Sequence, residues 1–378
     1  MIYLDNASTS FPKPENVYRE MDRCLRRYCA NPGRGGHAMA KAAGEAVFRT
    51  RTLLAAFFNI DRPERVIFTK NTTEALNIAI RGTLKHGDHV VTTSLEHNSV
   101  MRPLKHLARE RGIAISVVRG DAFGTISARA VERKIRGNTA LIVCTLSSNV
   151  NGAIMPTGEI GAVARRHGIT FLADAAQGAG TIPVDVQDLG IDLLAFPGHK
   201  SLLGPQGTGG LYVGQGIKVA PLMQGGTGTT SEIPYQPTAF PEALECGTLN
   251  TPGIVGLGAA IEYISRRGVS AIYRHKQALT DEMHRAFAKH RAITLYSRPE
   301  HNTGIVALNI KGLTSAEAGR RLDQKHGIAA RAGLHCAPFG HRTLGYDLAT
   351  GVLRLSVGCF TTADEVARTI KAVLGLCR

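Results

Sequence analysis

Tryptophan is absent from the 378 residues, and aromatic residues together make up only 6% of them. No C-x-x-C pair occurs among the seven cysteines, Cys24, Cys29, Cys144, Cys246, Cys336, Cys359 and Cys377. Zinc-ribbon spacing is therefore missing, and no metal is expected. An odd number of thiols without an export signal argues for free cysteines in a reducing compartment, most of them buried. No apolar run approaches the roughly 18 residues of a membrane span. The opening MIYLDNASTS has no basic segment followed by an apolar one, so a cytoplasmic protein with no membrane attachment is expected. Acidic residues are scarce, 30 against 45 Lys and Arg, which leaves a net charge of +15. That balance favours anionic partners. The basic residues are scattered, however; Arg23, Arg26 and Arg27 read as one solvated helix face, and no aromatic-basic motif accompanies them. Nucleic acid is accordingly not the expected partner, and a small anionic ligand explains the charge equally well.

What is present is ordinary globular composition, 43% apolar and 20% charged, in a chain long enough for two packed lobes. Apolar, β-rich runs occur at 65–69, 88–94, 114–118, 139–147, 169–174, 192–196 and 209–213. Helical patterns separate several of them. Asn71 with Glu74 three residues on reads as an N-cap with a capping box, and Pro156 and Gly168 bracket another helix. Strands buried on both faces and joined by helices predict an α/β fold with a mostly parallel, doubly wound sheet of seven strands. Residues 215–252 are rich in Gly, Thr and Pro and read as a long functional loop. A long helix then begins at GIVGLGAAIEYISRR, and strands near TGIVALNI and VLRLSVG belong to a smaller α+β lobe. The expected division is a large domain over 15–255 and a small domain over 256–378 that includes an N-terminal arm, 1–14.

In such a sheet, ligands lie at the carboxyl ends of the strands. The residues following each run there are chemically capable: Lys70-Asn71-Thr72-Thr73, Glu96-His97, Ser148-Asn149, Asp174 and Gly198-His199-Lys200. Asp174 ends an apolar strand, where a carboxylate needs a cationic partner or serves as an N-cap for the next helix. A pyridinium N–H is such a partner. A lysine 26 residues downstream, Lys200, completes the acid-and-amine pair that holds pyridoxal 5'-phosphate as a Schiff base. Thr72 and Thr73 open a helix, where free N–H groups favour a phosphate, although capping by Asn71 accounts for them as well. His97 could stack on a planar ring, although a lone histidine after a strand is more often structural.

These residues resemble the class V, fold-type I pyridoxal-phosphate enzymes, within them the cysteine desulfurase and selenocysteine lyase branch. The resemblance runs along the chain in order: YLDNAST, NPGRGGH, TKNTTEALN, LEHNS, SSNVNG, ADAAQGAG, GHKSLLGPQGTGGLYV, ECGTLNTPG, RAGLHCAP and LRLSVGCFTT. It implies that Lys200 carries the cofactor, Asp174 holds its ring nitrogen, His97 stacks on the ring and Gln177 bonds the ring oxygen. Thr72, Thr73 and His199 would bind its phosphate. Gly247 and Thr248 would reach the phosphate of a second subunit, which implies a homodimer. Asn149, Arg331 and Arg354 would bind the substrate, with the Arg354 guanidinium gripping its carboxylate through two bonds. Cys336 matches the nucleophile of the group II desulfurases, where a thiolate takes sulfur from L-cysteine as a persulfide and L-alanine is released. Such a thiol should be partly exposed in electropositive surroundings, for which Arg331 and His335 are candidates. A selenocysteine lyase, another carbon–sulfur lyase and a class V aminotransferase remain open on the same scaffold, and a sulfur-acceptor protein is a plausible partner. Two departures stand out: Pro197 where many group II enzymes have serine, and Cys246 before Gly247-Thr248 where alanine is common.

Overall fold

A computed structural model of the chain describes residues 1–33, 35–229 and 231–377. Arg34 of the NPGRGGH stretch and Thr230 of the Gly/Thr/Pro-rich loop lie outside the described residues, as does Arg378. All seven expected runs form strands of one sheet. In spatial order they are Val66–Thr69, Gly209–Val213, Leu193–Pro197, Thr170–Asp174, Thr139–Thr145, His89–Thr93 and Ala114–Val118. Gly209–Val213 runs antiparallel to both neighbours, and the other pairings are parallel.

The two-residue period of the central strands feeds two cores. Ile142, Phe171, Ala173 and Phe196 face one side, and Leu141, Val143, Leu172 and Ala195 face the other. Both faces are covered by helices, so these strands are apolar throughout. Glycines at 209 and 210 are a packing requirement. A Cβ at Gly210 would come within 2.4 Å of the Phe196 ring, and one at Gly209 within 3.0 Å of the Asn71 backbone. The second contact lets the helix Thr72–Thr83 start directly above the sheet edge.

That helix is capped as the sequence predicts, the Asn71 side chain accepting from the Glu74 N–H at 3.0 Å. The capping box is shifted, however. Glu74 Oε2 accepts from the Lys70 N–H, not from that of Asn71. Asn71 is fully extended (φ −173°), which aims its own N–H away from the Glu74 carboxylate. The helix Thr157–Arg166 follows Pro156 and ends before Gly168, whose φ of +63° is left-handed. On the helix Glu15–Arg27 the basic cluster is solvated and paired with Glu20 and Asp22.

A second sheet of four antiparallel strands has the order Arg331–Gly333, Val352–Ser356, Ile305–Ile310, Ile293–Leu295. Its core draws on Leu279, Met283, Phe287 and Leu322 from the helices Val269–Phe287 and Ser315–His326. The N-terminal residues Ile2–Tyr3 pair with Ile328–Ala329, which ties the arm to this lobe. The helix Thr251–Arg267 packs on Glu15–Arg27 and on Ala38–Phe58. Among the described residues no helix is long and apolar enough to cross a membrane.

All seven cysteines are free, and only Cys24, Cys144 and Cys359 are buried. The expectation that most would be core fillers is therefore corrected. Cys29 and Cys336 are exposed, and Cys246 and Cys377 are partly exposed outside helices and strands, Cys377 just after the last helix.

Candidate active site

The carboxyl ends of the parallel strands bring the predicted residues together. Thr72, Thr73, His97, Asn149, Gln177 and His199 line one pocket with Asp174 and Lys200. Parallel pairing aligns the strand ends: Thr145 lies opposite Asp174, and Asp174 opposite Ala195, two residues before the loop that carries His199 and Lys200.

Asp174 is 2% exposed, and its Oδ1 accepts from the Ala176 N–H at 2.9 Å. No helix comes directly after it, so its bond is to a local turn and not to a helix start. Burial raises its pKa, while the nearby Lys200 ammonium favours the carboxylate. Burial lowers the Lys200 pKa to about 8, a shift opposed by Asp174 and Cys336 and reinforced by Arg354 and Arg331. The result is an amine with a substantial neutral fraction near pH 7, as nucleophilic attack requires.

His97 has a structural task alongside any other. Its Nδ1 accepts from the Ser99 N–H at 3.0 Å and caps the helix Asn98–Glu110. Burial, then the charges of Lys200 and Arg331, push it down to about 4. The ring is neutral, with its proton on Nε2. His199 is likewise pushed down to about 4 by burial, Lys200 and Lys13.

The polar atoms around the pocket test whether it fits pyridoxal phosphate. Thr72 Oγ1 and His199 Nδ1 are buried with no hydrogen-bond partner. Orphaned groups of this kind are costly unless a ligand satisfies them. They flank the open N-terminus of the helix Thr72–Thr83, whose first N–H groups have no intrahelical acceptor. Thr73 Oγ1 is within 2.8 Å of Ser99 Oγ. A phosphate at the helix start, with an acid and a low-pKa lysine deeper in, is a donor set that suits the cofactor. Gln177 lines the same pocket, its Nε2 donating to Ala7 O at 2.9 Å.

The residues expected to meet substrate come from the second sheet and from the loop after the strand Thr139–Thr145. Arg331 and Arg354 are direct cross-strand partners, which places two guanidinium groups on one face. Arg354 is 2% exposed. Asn149 Nδ2 donates to His335 O at 2.6 Å, and the Asn149 carbonyl accepts from Arg354 Nη1 at 2.7 Å. Asn149 thus braces the segment that carries Cys336. A second brace is the Asn98 N–H, which donates to Cys336 O at 2.8 Å. His335 and Cys336 are both left-handed, with φ of 49° and 57°, a conformation that costs non-glycine residues roughly 1–2 kcal/mol each. Cys336 is exposed. His335 adds no positive charge there. Its ring is buried against Val352 O at 3.1 Å, and burial pushes its pKa to about 2. The cations that sense Cys336 are Lys200 and Arg354.

Gly247 lines a separate hollow with Asn31, Phe48, Arg51 and Glu245, and the Asn31 amide lies 3.5 Å from Thr248 Oγ1. The buried Arg51–Glu245 pair (2.8 and 2.9 Å) anchors this segment. Cys246 lies near Gly225, whose Cβ would be 3.8 Å from its sulfur.

Several residues at the site were given no role by the sequence-based expectations. Asp5 and Ser8 bond Arg354 and Arg331. Lys13 donates to His199 O at 2.8 Å, and burial lowers its pKa to about 8. Glu96, fully buried, accepts from Thr93 Oγ1 and the Thr145 N–H and is raised to about 8 by burial. Glu96 had a sequence signal in its place after an apolar strand, and Asp5 and Ser8 in the YLDNAST motif, whereas Lys13 had none. Among the described residues, no group of three or more His, Cys, Asp or Glu side chains could hold a metal ion.

A profile of the class-V aminotransferase family matches residues 2–369. The chain is 37% identical to a probable cysteine desulfurase of Methanothermobacter thermautotrophicus over 99% of its length and 95% of the relative. It is 34% identical to a cysteine desulfurase of Yersinia pestis over 98% of its length and 92% of the relative. Among solved structures, the apo cysteine desulfurase of Thermococcus onnurineus superposes with a TM-score of 0.93 at 33% identity, covering all of this chain and 94% of that one.

Proposed function

The chain belongs to the class-V aminotransferase family, among relatives that include cysteine desulfurases, and from that premise we propose that it desulfurates L-cysteine to L-alanine, with Cys336 as the sulfur carrier. The observation that carries this reading is the convergence, on one pocket, of a buried acid, a lysine of lowered pKa and a phosphate-ready helix start; outside that lining, the exposed Cys336 is close enough to act electrostatically on Lys200 and Arg354. The family implies pyridoxal phosphate. Lys200 would hold it covalently, Asp174 its ring nitrogen, His97 a ring face and Gln177 the ring oxygen. Thr72, Thr73 and His199 would take its phosphate. When bound, the cofactor supplies an electron sink for the pair left at the substrate Cα.

The chain's own residues do the rest. Neutral Lys200, once freed, accepts the Cα proton and returns one to carbon. Arg354 and Asn149 orient the substrate by its carboxylate. The Cys336 thiolate attacks the substrate sulfur: an S–S bond forms, the substrate Cβ–S bond breaks, and its electron pair stays with carbon. Carbon takes a proton to become the methyl group of alanine, and Cys336 keeps the sulfur as a persulfide. Exposure of Cys336 supports onward transfer to an acceptor protein. A homodimer is supported by large exposed apolar side chains at Phe48, Leu222, Met223, Ile233 and Tyr235, near the segment carrying Gly247 and Thr248.

The test is alanine release by the purified protein from L-cysteine and, in parallel, from L-selenocysteine, with a reductant present. Alanine from both, the cysteine reaction depending on Cys336, is the expected result. Alanine from selenocysteine alone moves the assignment to a selenium-specific lyase, and alanine from neither refutes the proposal.

A further inference from the structure

The N-terminal arm brings a carboxylate of the protein's own into the carboxylate-binding pocket. Asp5 bridges to Ser356, two residues from Arg354 on the same strand and therefore on the same face. Its Oδ1 accepts from Arg354 Nη2 at 2.9 Å. The same Nη2 donates to Ser8 Oγ at 2.8 Å, so both of its protons are used. Ser8 Oγ also accepts from Arg331 Nη1 at 2.7 Å and donates to Asp5 Oδ1 at 2.7 Å. Two guanidinium groups, one hydroxyl and one carboxylate thus form a closed cluster.

A guanidinium grips a carboxylate through two parallel N–H bonds, and on Arg354 either fork, Nη1/Nη2 or Nε/Nη2, includes Nη2. Nη2 is saturated, whereas Nε is buried with no partner. The internal pair is therefore single-pronged and leaves one donor orphaned; a substrate carboxylate on Nε and Nη2 would satisfy both. We propose that Asp5 is an internal competitor for the substrate α-carboxylate, held on Arg354 until an incoming carboxylate takes the Nε/Nη2 fork. This rests on the reading of Arg354 as the carboxylate ligand. Asp5 is then a specificity-determining residue. A ligand lacking an α-carboxylate cannot displace it, and one with the carboxylate loses part of its affinity in the exchange.

The test uses the cofactor-loaded protein and L-alanine, an α-carboxylate ligand with no sulfur to transfer, with binding read from cofactor absorbance. Asp5→Asn is expected to bind L-alanine about tenfold more tightly, the scale of one lost charge-assisted pair. L-Alanine should also raise the melting temperature of Asp5→Asn more than that of the wild type. Asp5→Glu, which keeps the charge, should show no tightening. If Asp5→Asn folds poorly, Asp5→Ser carries the same comparison. Unchanged or weaker L-alanine binding in the neutral variants overturns the proposal, as does tightening in Asp5→Glu. Because binding and not turnover is read, failure of the desulfurase reading would appear separately, as absence of alanine release from L-cysteine.

Discussion

Lys200 offers a sharp quantitative test, because its chemistry depends on being neutral and its surroundings set when that happens. An ordinary lysine, with a pKa near 10.5, is neutral in only about one molecule in 3000 at pH 7. Burial brings Lys200 to about 8, so roughly a tenth is neutral at the same pH, a gain of about 300-fold in reactive amine. The neutral fraction then rises about tenfold from pH 6 to 7 and levels off above 9. His97 and His199 do not distort that curve, since both are pushed down to about 4 and stay neutral throughout. Stopped-flow uptake of pyridoxal phosphate by the apoprotein, followed by absorbance across pH 6–10, is expected to trace this profile with a bend near 8. Asp174 supports the ammonium form, so Asp174→Asn should move the bend to lower pH even as it weakens cofactor retention. Lys200→Ala should form no covalent adduct that borohydride can trap. A rate that keeps climbing beyond pH 9, or an Asp174→Asn profile shifted upward, would refute the electrostatic reasoning. A trapped adduct in Lys200→Ala would remove the assignment of the lysine itself.

Cys336→Ala should load cofactor like the wild type yet lose alanine release from L-cysteine by about 100-fold or more; unchanged turnover would sink the persulfide step. A stability prediction concerns Lys276, which is 6% exposed, donates to Thr181 Oγ1 at 3.0 Å and is lowered by burial to about 8. Its folded pKa lies below its unfolded one, so its contribution is present above pH 10.5 and is lost as pH falls towards 8. Lys276→Met should therefore be more stable than the wild type at pH 7, by about 2 kcal/mol after allowing for the unpaired Thr181 hydroxyl. Guanidinium unfolding should show that gap narrowing at pH 10; an equal gap at both pH values would contradict it.

Much of this protein was legible in one dimension because its signals are local. Strands buried on both faces read as apolar runs, and the residues after them, Asp174 and Lys200 foremost, mark a sheet edge by position alone. Asn71 announced its helix because a cap needs only its own next three residues. Ordered motifs from YLDNAST to LRLSVGCFTT placed the chain in its family before any geometry was known. What depended on tertiary structure was every relation between distant segments and every consequence of burial. His335 looks like a cation in the sequence, but burial pushes its pKa down to about 2 and leaves the ring neutral. Asn149 looks wholly free to meet a ligand, yet one of its two amide N–H groups is given to the carbonyl before Cys336, leaving the other for a carboxylate. Asp5 is some 350 residues from Arg354 along the chain, and no periodicity links them. They meet because the arm pairs beside the strand that carries the arginine, and a charge's partner is fixed by which backbones align, which the sequence does not write locally.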